Sequence, residues 1–314
     1  MDTFYKIKQS DFLRKPVHIF NMKRDFLKEE TFEGTFPYEP HYMEVNGFSM
    51  HYVDEGEGEP IVCFHGEPDW GYLYRQFIKE LSKTNRIIVP DMMGFGKSDV
   101  PQDKAYILEE HVDNVKKLLL NLDLKNITIV VQDWGGPIGF GFAVDYPERI
   151  KRLVIMNTSI GVMKEEAKPW YHYMEKKGTY EVFLKDPANI LQMGMVHKEK
   201  LTPTVLRAYN APFPSDEYYI GVLAWPKDIP VGEDHPSAKA MMHIRNNLDR
   251  LSDKDKILIW GMKDPIFPKW MTEWWNKIYP GIETHKIVSA SHFLQEDAPE
   301  EIIALITQFL AEHP

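Results

Sequence analysis

Two aspartates and a histidine, Asp133, Asp264 and His292, are the residues whose types and placement could do chemistry together. A carboxylate is ionised at neutral pH and can attack an electrophilic carbon without first losing a proton. A histidine oriented by a second carboxylate can then deprotonate a water. Each residue alone has a plainer reading: Asp133 could cap a helix, Asp264 before Pro265 could serve a turn, and His292 is one of twelve histidines. Their positions along the chain join them.

The stretch Ile127 to Gly139 reads I-T-I-V-V-Q-D-W-G-G-P-I-G. Its β-branched run has strand length, and Gly135, Gly136 and Pro137 break it and can open a helix, which leaves Asp133 at the corner. Lys256 to Trp260 is a second strand, running into G-M-K-D-P with Asp264, and Glu283 to Val288 is a third, followed by S-H-F with His292. All three residues therefore fall just past the C-terminal end of a strand, the edge where ligands bind in open α/β sheets.

Other elements complete the frame. The alternation around Asn46-Gly47 predicts a hairpin. Ile61 to Phe64 and Arg86 to Pro90 read as strands, Tyr74 to Lys83 and Ile107 to Leu122 as helices, then Pro137 to Tyr146 as helix and Leu153 to Met156 as strand. Pro268 to Ile278 and Pro299 to Leu310 read as helices. This alternation implies an α/β fold with a mainly parallel sheet covered on both faces. Ser159 to about Val231 has no strand pattern and is rich in Trp, Tyr, Met and Pro, as a helical insertion would be. The expected division is a core of 1–157 and 232–314 and a helical cap of 158–231, with the first forty residues as an arm laid over the core.

Composition narrows the class. The net charge of -10 argues against a nucleic-acid or anionic-membrane partner. The single cysteine, Cys63, lies in an apolar run and precludes an internal disulfide framework. No apolar stretch near the start is long enough for a signal peptide or membrane span, so a cytoplasmic protein is expected. Gly94 and Gly96 suggest a tight turn, since no G-x-x-x-x-G-K-[ST] accompanies them. The histidines show no metal-ligand spacing, and neither a metal nor an organic cofactor is expected.

The motifs H-G-E-P-D-W-G-Y-L-Y-R, D-M-M-G-F-G-K-S-D, V-V-Q-D-W-G-G, A-P-F-P, G-M-K-D-P and S-H-F-L-Q-E-D resemble those of haloalkane dehalogenases of the α/β-hydrolase superfamily, from about Phe36 onward. The order Asp133, Asp264, His292 is that superfamily's order of nucleophile, acid and base, with Asp133 where most members carry serine. The resemblance implies an α/β-hydrolase fold and hydrolysis of a carbon–halogen bond through an alkyl ester on Asp133. It also implies an oxyanion hole from the backbone N–H groups of Glu67 and Trp134, with the Trp134 indole as a halide donor. The Glu67 carboxyl is expected to help hold the hydrolytic water, and Glu67-Pro68 to be a cis bond. A second halide donor belongs in the cap, where Trp170 is the first choice and Trp225 the next. The implied partners are a small apolar halogenated substrate and a halide ion, and the protein is expected to be a monomer or weak homo-oligomer.

Three other readings compete. An epoxide hydrolase uses the same aspartyl ester with cap tyrosines, for which Tyr171, Tyr173, Tyr180, Tyr209, Tyr218 and Tyr219 are available. A haloacid dehalogenase of this superfamily should carry arginine beside the nucleophile, where this chain has Trp134. A non-catalytic ligand-binding protein on a hydrolase scaffold would not need the complete set of three.

Overall fold

A computed structural model of the chain describes residues 21–164, 166, 181 and 184–314. Ten strands are found among them: β1 (Asn21–Met22), β2 (His41–Val45), β3 (Phe48–Glu55), β4 (Pro60–Phe64), β5 (Arg86–Pro90), β6 (Val100–Pro101), β7 (Ile127–Val131), β8 (Ile150–Met156), β9 (Asp255–Gly261) and β10 (Glu283–Ile287). Eight of them form one sheet in the order β10-β9-β8-β7-β4-β5-β3-β2, while β1 pairs only with β6. From β10 to β5 every pairing is parallel, and β3 and β2 add an antiparallel edge.

Local chemistry explains the elements. The hairpin between β2 and β3 turns at Asn46 and Gly47, both at positive φ (48° and 86°), the two-residue turn that matches strand twist. Strands β4 and β7 are buried at every position, which suits continuous β-branched runs in a doubly covered parallel sheet. Helices Arg75–Leu81 and Pro299–Glu312 pack together, and helices Leu108–Asn121, Gly135–Asp145 and Ala238–Asn246 form a second group. Two element starts lie three residues from the sequence reading, more than any other. Strand β8 begins at Ile150, because its first residues pair with β7, and the helix expected from Pro268 begins at Met271, after turn bonds from Met271 to Pro268 and Thr272 to Lys269.

The site's location follows from strand order. The chain places β5 on one side of β4 and β7 on the other, so β4 and β7 meet where the winding reverses. Phe64 and Val131 are register partners, which brings the turns beginning at His65 and Gln132 side by side at the C-terminal edge.

Between β8 and β9 lie helices Pro187–Met193, Pro203–Asn210 and Ile220–Ala224. From 158 to 231 the described residues hold no named strand, only an isolated bridge between Met163 and Val231. The described part of the arm is fastened at both levels. Phe32 and Phe36 are fully buried and meet Trp70 edge-on, at centroid distances of 5.7 and 5.1 Å. Arg24 donates to the carbonyls of Pro212 (2.9 Å), Ser98 (2.6 Å) and Gly94 (3.0 Å), joining the arm to the inserted segment and to the loop after β5. Burial lowers the Arg24 pKa to about 10, against the opposing pull of Tyr106, Asp91 and Asp99.

Candidate active site

Asp133 occupies the corner between β7 and helix Gly135–Asp145 at φ 50°, a left-handed conformation held by its N–H to the Asn157 carbonyl (3.0 Å) and by Thr158 Oγ1 donating to the Asp133 carbonyl (2.6 Å). Close approach around it demands glycine. A Cβ on Gly66 would lie 2.4 Å from Asp133 Cβ and Oδ1, and one on Gly135 would lie 2.1 Å from the Phe64 carbonyl oxygen. The helix-cap alternative is not what the side chain does here: Asp133 Oδ1 accepts from the backbone N–H of Glu67 at 2.8 Å, and the adjacent Trp134 N–H favours the charged carboxylate.

His292 lies between the two aspartates. Its Nδ1 is 3.0 Å from Asp264 Oδ2 and its Nε2 is 3.8 Å from Asp133 Oδ2. Asp264 is fixed in turn: Oδ1 accepts from the N–H groups of Ile266 (2.7 Å) and Phe267 (3.0 Å), and Oδ2 from Asn157 Nδ2 (2.7 Å). With Nδ1 facing a carboxylate, the imidazole presents Nε2 to Asp133. Burial alone would lower the His292 pKa, but Asp264 foremost, and Asp133 as well, raise it to about 9. Burial pushes the Asp133 carboxyl up, against the pull of His292 and the two N–H groups. Both shifts run upward and belong to one coupled pair, an imidazolium held between two carboxylates.

Two further carboxyl groups lie beside this pair. Both oxygens of Glu67 and both of Asp69 are buried without a hydrogen-bond partner among the described residues. Burial first, then the charge of Asp133, raises each well above the usual carboxylate range. The Glu67-Pro68 bond is cis, as expected from the sequence.

Comparison with known proteins gives a concordant result. The model of the alpha/beta hydrolase fold matches residues 59–299. A haloalkane dehalogenase of Mycolicibacterium paratuberculosis is 35% identical over 279 residues, covering 85% of this chain and 91% of the relative. The chain belongs to the haloalkane dehalogenase family of the α/β-hydrolase fold. A cis-3-alkyl-4-alkyloxetan-2-one decarboxylase of Shewanella oneidensis is likewise 35% identical, over 285 residues, covering 88% of this hydrolase and 89% of the relative. Among solved structures, the tetrameric haloalkane dehalogenase DpaA of Paraglaciecola agarilytica matches with a TM-score of 0.78 at 32% identity, covering 90% of this chain and 96% of that one.

The fold of this hydrolase brings Asp133, Asp264, His292, the Glu67 N–H and the Trp134 N–H together. Trp170 lies outside the described residues, as do Tyr171, Tyr173 and Tyr180. The remaining tyrosines considered for epoxide activation are engaged elsewhere: Tyr209 Oη donates to Glu296 (2.6 Å), Tyr218 Oη to the Lys23 carbonyl (3.1 Å) and Tyr219 Oη to the Lys185 carbonyl (2.9 Å). Trp225 is buried 5.7 Å from Trp134, ring to ring, and its indole N–H is directed at His111.

Sequence reasoning missed three contributors. Asn157 accepts from the Gly261 N–H (2.7 Å) while donating to Asp264, so it ties the end of β8 to the acid. Gln132 Nε2 donates to the His292 carbonyl (3.2 Å). Asp297 accepts from the N–H groups of Ser291 (2.8 Å), Val196 (2.9 Å) and His197 (2.8 Å), so the loop carrying His292 is fastened to the inserted segment. Gln132 and Asp297 stand within the motifs V-V-Q-D-W-G-G and S-H-F-L-Q-E-D, and Asn157 is the polar residue that follows β8, but nothing local marks their partners.

Proposed function

We propose that this family member hydrolyses haloalkanes to an alcohol, a halide and a proton, with Asp133 as nucleophile, His292 as base and Asp264 as the acid that orients it. The observation that carries the reading is the unequal treatment of the two Asp133 oxygens. Oδ1 is gripped by the Glu67 N–H, whereas Oδ2 faces the histidine across 3.8 Å.

In the first step Oδ2 attacks the halogen-bearing carbon, forming the ester C–O bond as the carbon–halogen bond breaks. The halide departs with the bonding pair toward the Trp134 indole N–H, a donor with no acceptor capacity. Esterification removes the Asp133 charge, and with it one of the influences that raise the His292 pKa, so the imidazole gives up its proton and becomes a base. His292 then takes a proton from water, and the hydroxide attacks the ester carbonyl carbon. Negative charge develops on Oδ1, where the Glu67 N–H already points and the Trp134 N–H is the second donor. Collapse releases the alcohol, which takes the proton from His292, and the regenerated Asp133 carboxyl passes its own proton back to His292, which restores the resting pair and leaves one proton released per turnover. The neutral Glu67 carboxyl flanks this water.

Residues 158–231 act as the cap and 1–157 with 232–314 as the core. Trp170 from the cap supplies the second halide donor. We place the protein in the cytoplasm as a monomer or weak homo-oligomer; no helix among the described residues is long and apolar enough to cross a membrane.

A second reading is favoured by the oxetanone decarboxylase relatives at 35% and 31% identity. Attack of Asp133 on the ring carbon bonded to oxygen would open a β-lactone to a carboxylate. Loss of carbon dioxide with departure of Asp133 would then give an alkene. Incubation with 1-bromobutane or 1,2-dibromoethane in weak buffer should release bromide and protons together. Alkene from a cis-3,4-dialkyloxetan-2-one without bromide release, or diol from styrene oxide without it, would overturn the leading reading.

A further inference from the structure

Trp225 is 1% exposed, and the turn that carries it, Trp225–Asp228, is held to helix Leu108–Asn121 at two points. The Trp225 indole N–H donates to His111 Nε2 at 2.7 Å, and Asp228 Oδ2 accepts from the Leu108 N–H at 2.7 Å. The two bonds are spaced three residues apart on each side, so they fix both the position and the rotation of the turn. Ser237 Oγ donates to the other Asp228 oxygen at 2.6 Å. Burial first, then the neighbouring His65, lowers the His111 pKa to about 3, which agrees with His111 Nε2 accepting from the indole at neutral pH.

On the far side of this clamp the Trp225 ring faces the site. Its centroid is 4.2 Å from Phe95, 6.0 Å from His65 and 5.7 Å from Trp134. His65 is anchored beside the nucleophile, accepting from the Met92 N–H at 2.9 Å. Trp134 is thus buttressed by a neighbour whose indole N–H is engaged elsewhere, so this neighbour turns an aromatic face and no indole donor toward the leaving-group region. An indole free to rotate would expose its own N–H there or leave room for Trp134 to turn.

We propose that Trp225, clamped by His111 and Asp228, is a positioning residue for a halide subsite at the Trp134 indole. It acts through Trp134 and does not touch the reacting atoms. The inference rests on the halide reading of the site, and it extends that reading to a core helix outside the triad.

The test uses inorganic bromide as probe and the midpoint of saturable indole-fluorescence quenching as readout. His111→Leu and Trp225→Phe should each weaken bromide binding by about tenfold, the loss of one buried hydrogen bond. His111→Gln, whose amide oxygen can accept the indole N–H, should return the midpoint to within about threefold of the unaltered protein. Should His111→Leu not fold, Trp225→Phe gives the same comparison. Unchanged midpoints in folded His111→Leu or Trp225→Phe, no recovery in His111→Gln, or no saturable quenching in the unaltered protein would each overturn the inference. Bromide release from 1-bromobutane judges the reaction separately. A protein that binds bromide with the expected variant pattern yet releases none keeps the clamp and loses the reaction, whereas release with variant-independent midpoints does the reverse.

Discussion

The backbone N–H of Glu67 meets Asp133 Oδ1 at 2.8 Å, before any substrate is bound. The oxygen that would carry negative charge during ester hydrolysis therefore already sits in its donor cradle, and no rearrangement is needed when the charge forms. Gly66 makes this approach possible, since a Cβ there would lie 2.4 Å from Asp133 Oδ1. Gly66→Ala should accordingly lower bromide release from 1-bromobutane by about a hundredfold or more, the scale of a lost oxyanion donor, and steady-state kinetics would show the loss in kcat.

His292→Phe should separate the two chemical steps. Alkylation of Asp133 does not use the histidine, while hydrolysis of the ester does. Intact-protein mass spectrometry after exposure to 1-bromobutane should show one added butyl group, and peptide mapping should place it on Asp133. A variant that turns over normally, or stays unmodified with an accepted substrate, would contradict the two-step scheme.

The raised His292 pKa has a consequence for stability. The folded protein holds this proton more tightly than the unfolded chain, so the contribution is complete below the ordinary 6.5 and is lost as pH rises through about 9. The advantage of the unaltered protein over His292→Phe in urea midpoint should therefore shrink between those values. A difference that stays constant or grows across that window would refute the imidazolium assignment.

Asp69 carries a cost that pH should expose. Its carboxyl is fully buried, both oxygens are without partners among the described residues, and burial followed by Asp133 and Glu296 raises its pKa well above the ordinary range, against the opposing pull of His292. Its favourable contribution is present in full below the carboxyl range of the unfolded chain and disappears as pH rises through the raised folded value. Asp69→Asn should therefore gain in melting temperature relative to the unaltered protein at pH 8 compared with pH 4.5. A pH-independent difference would mean that the group is not neutral when folded.

Arg24 should be among the most sensitive residues outside the site. Arg24→Met leaves the carbonyls of Gly94, Ser98 and Pro212 without this donor, which should cost about 3 kcal/mol, read from chemical denaturation. Arg24→Lys should recover part of that, because an ammonium reaches fewer of the three carbonyls at once.

Much of this protein was legible in the chain because the signals are local. A β-branched run followed by D-W-G-G-P can form little except a strand, a corner and a helix, and Asn46-Gly47 between alternating residues specifies its hairpin through backbone conformation alone. The three reactive residues could be named because each follows a strand, and parallel strands deliver their C-terminal ends to one edge. Distant partnerships could not be read in the same way. Asn157 meets Asp264 across 107 positions, Trp225 meets His111 across 114 and Arg24 meets Pro212 across 188. Nothing in the spacing of such residues marks them as partners, since strand register and the seating of the inserted helices on the core decide which buried donor meets which acceptor. The sequence determined which groups could react; tertiary packing decided that one oxygen of Asp133 accepts from the Glu67 N–H while the other faces His292.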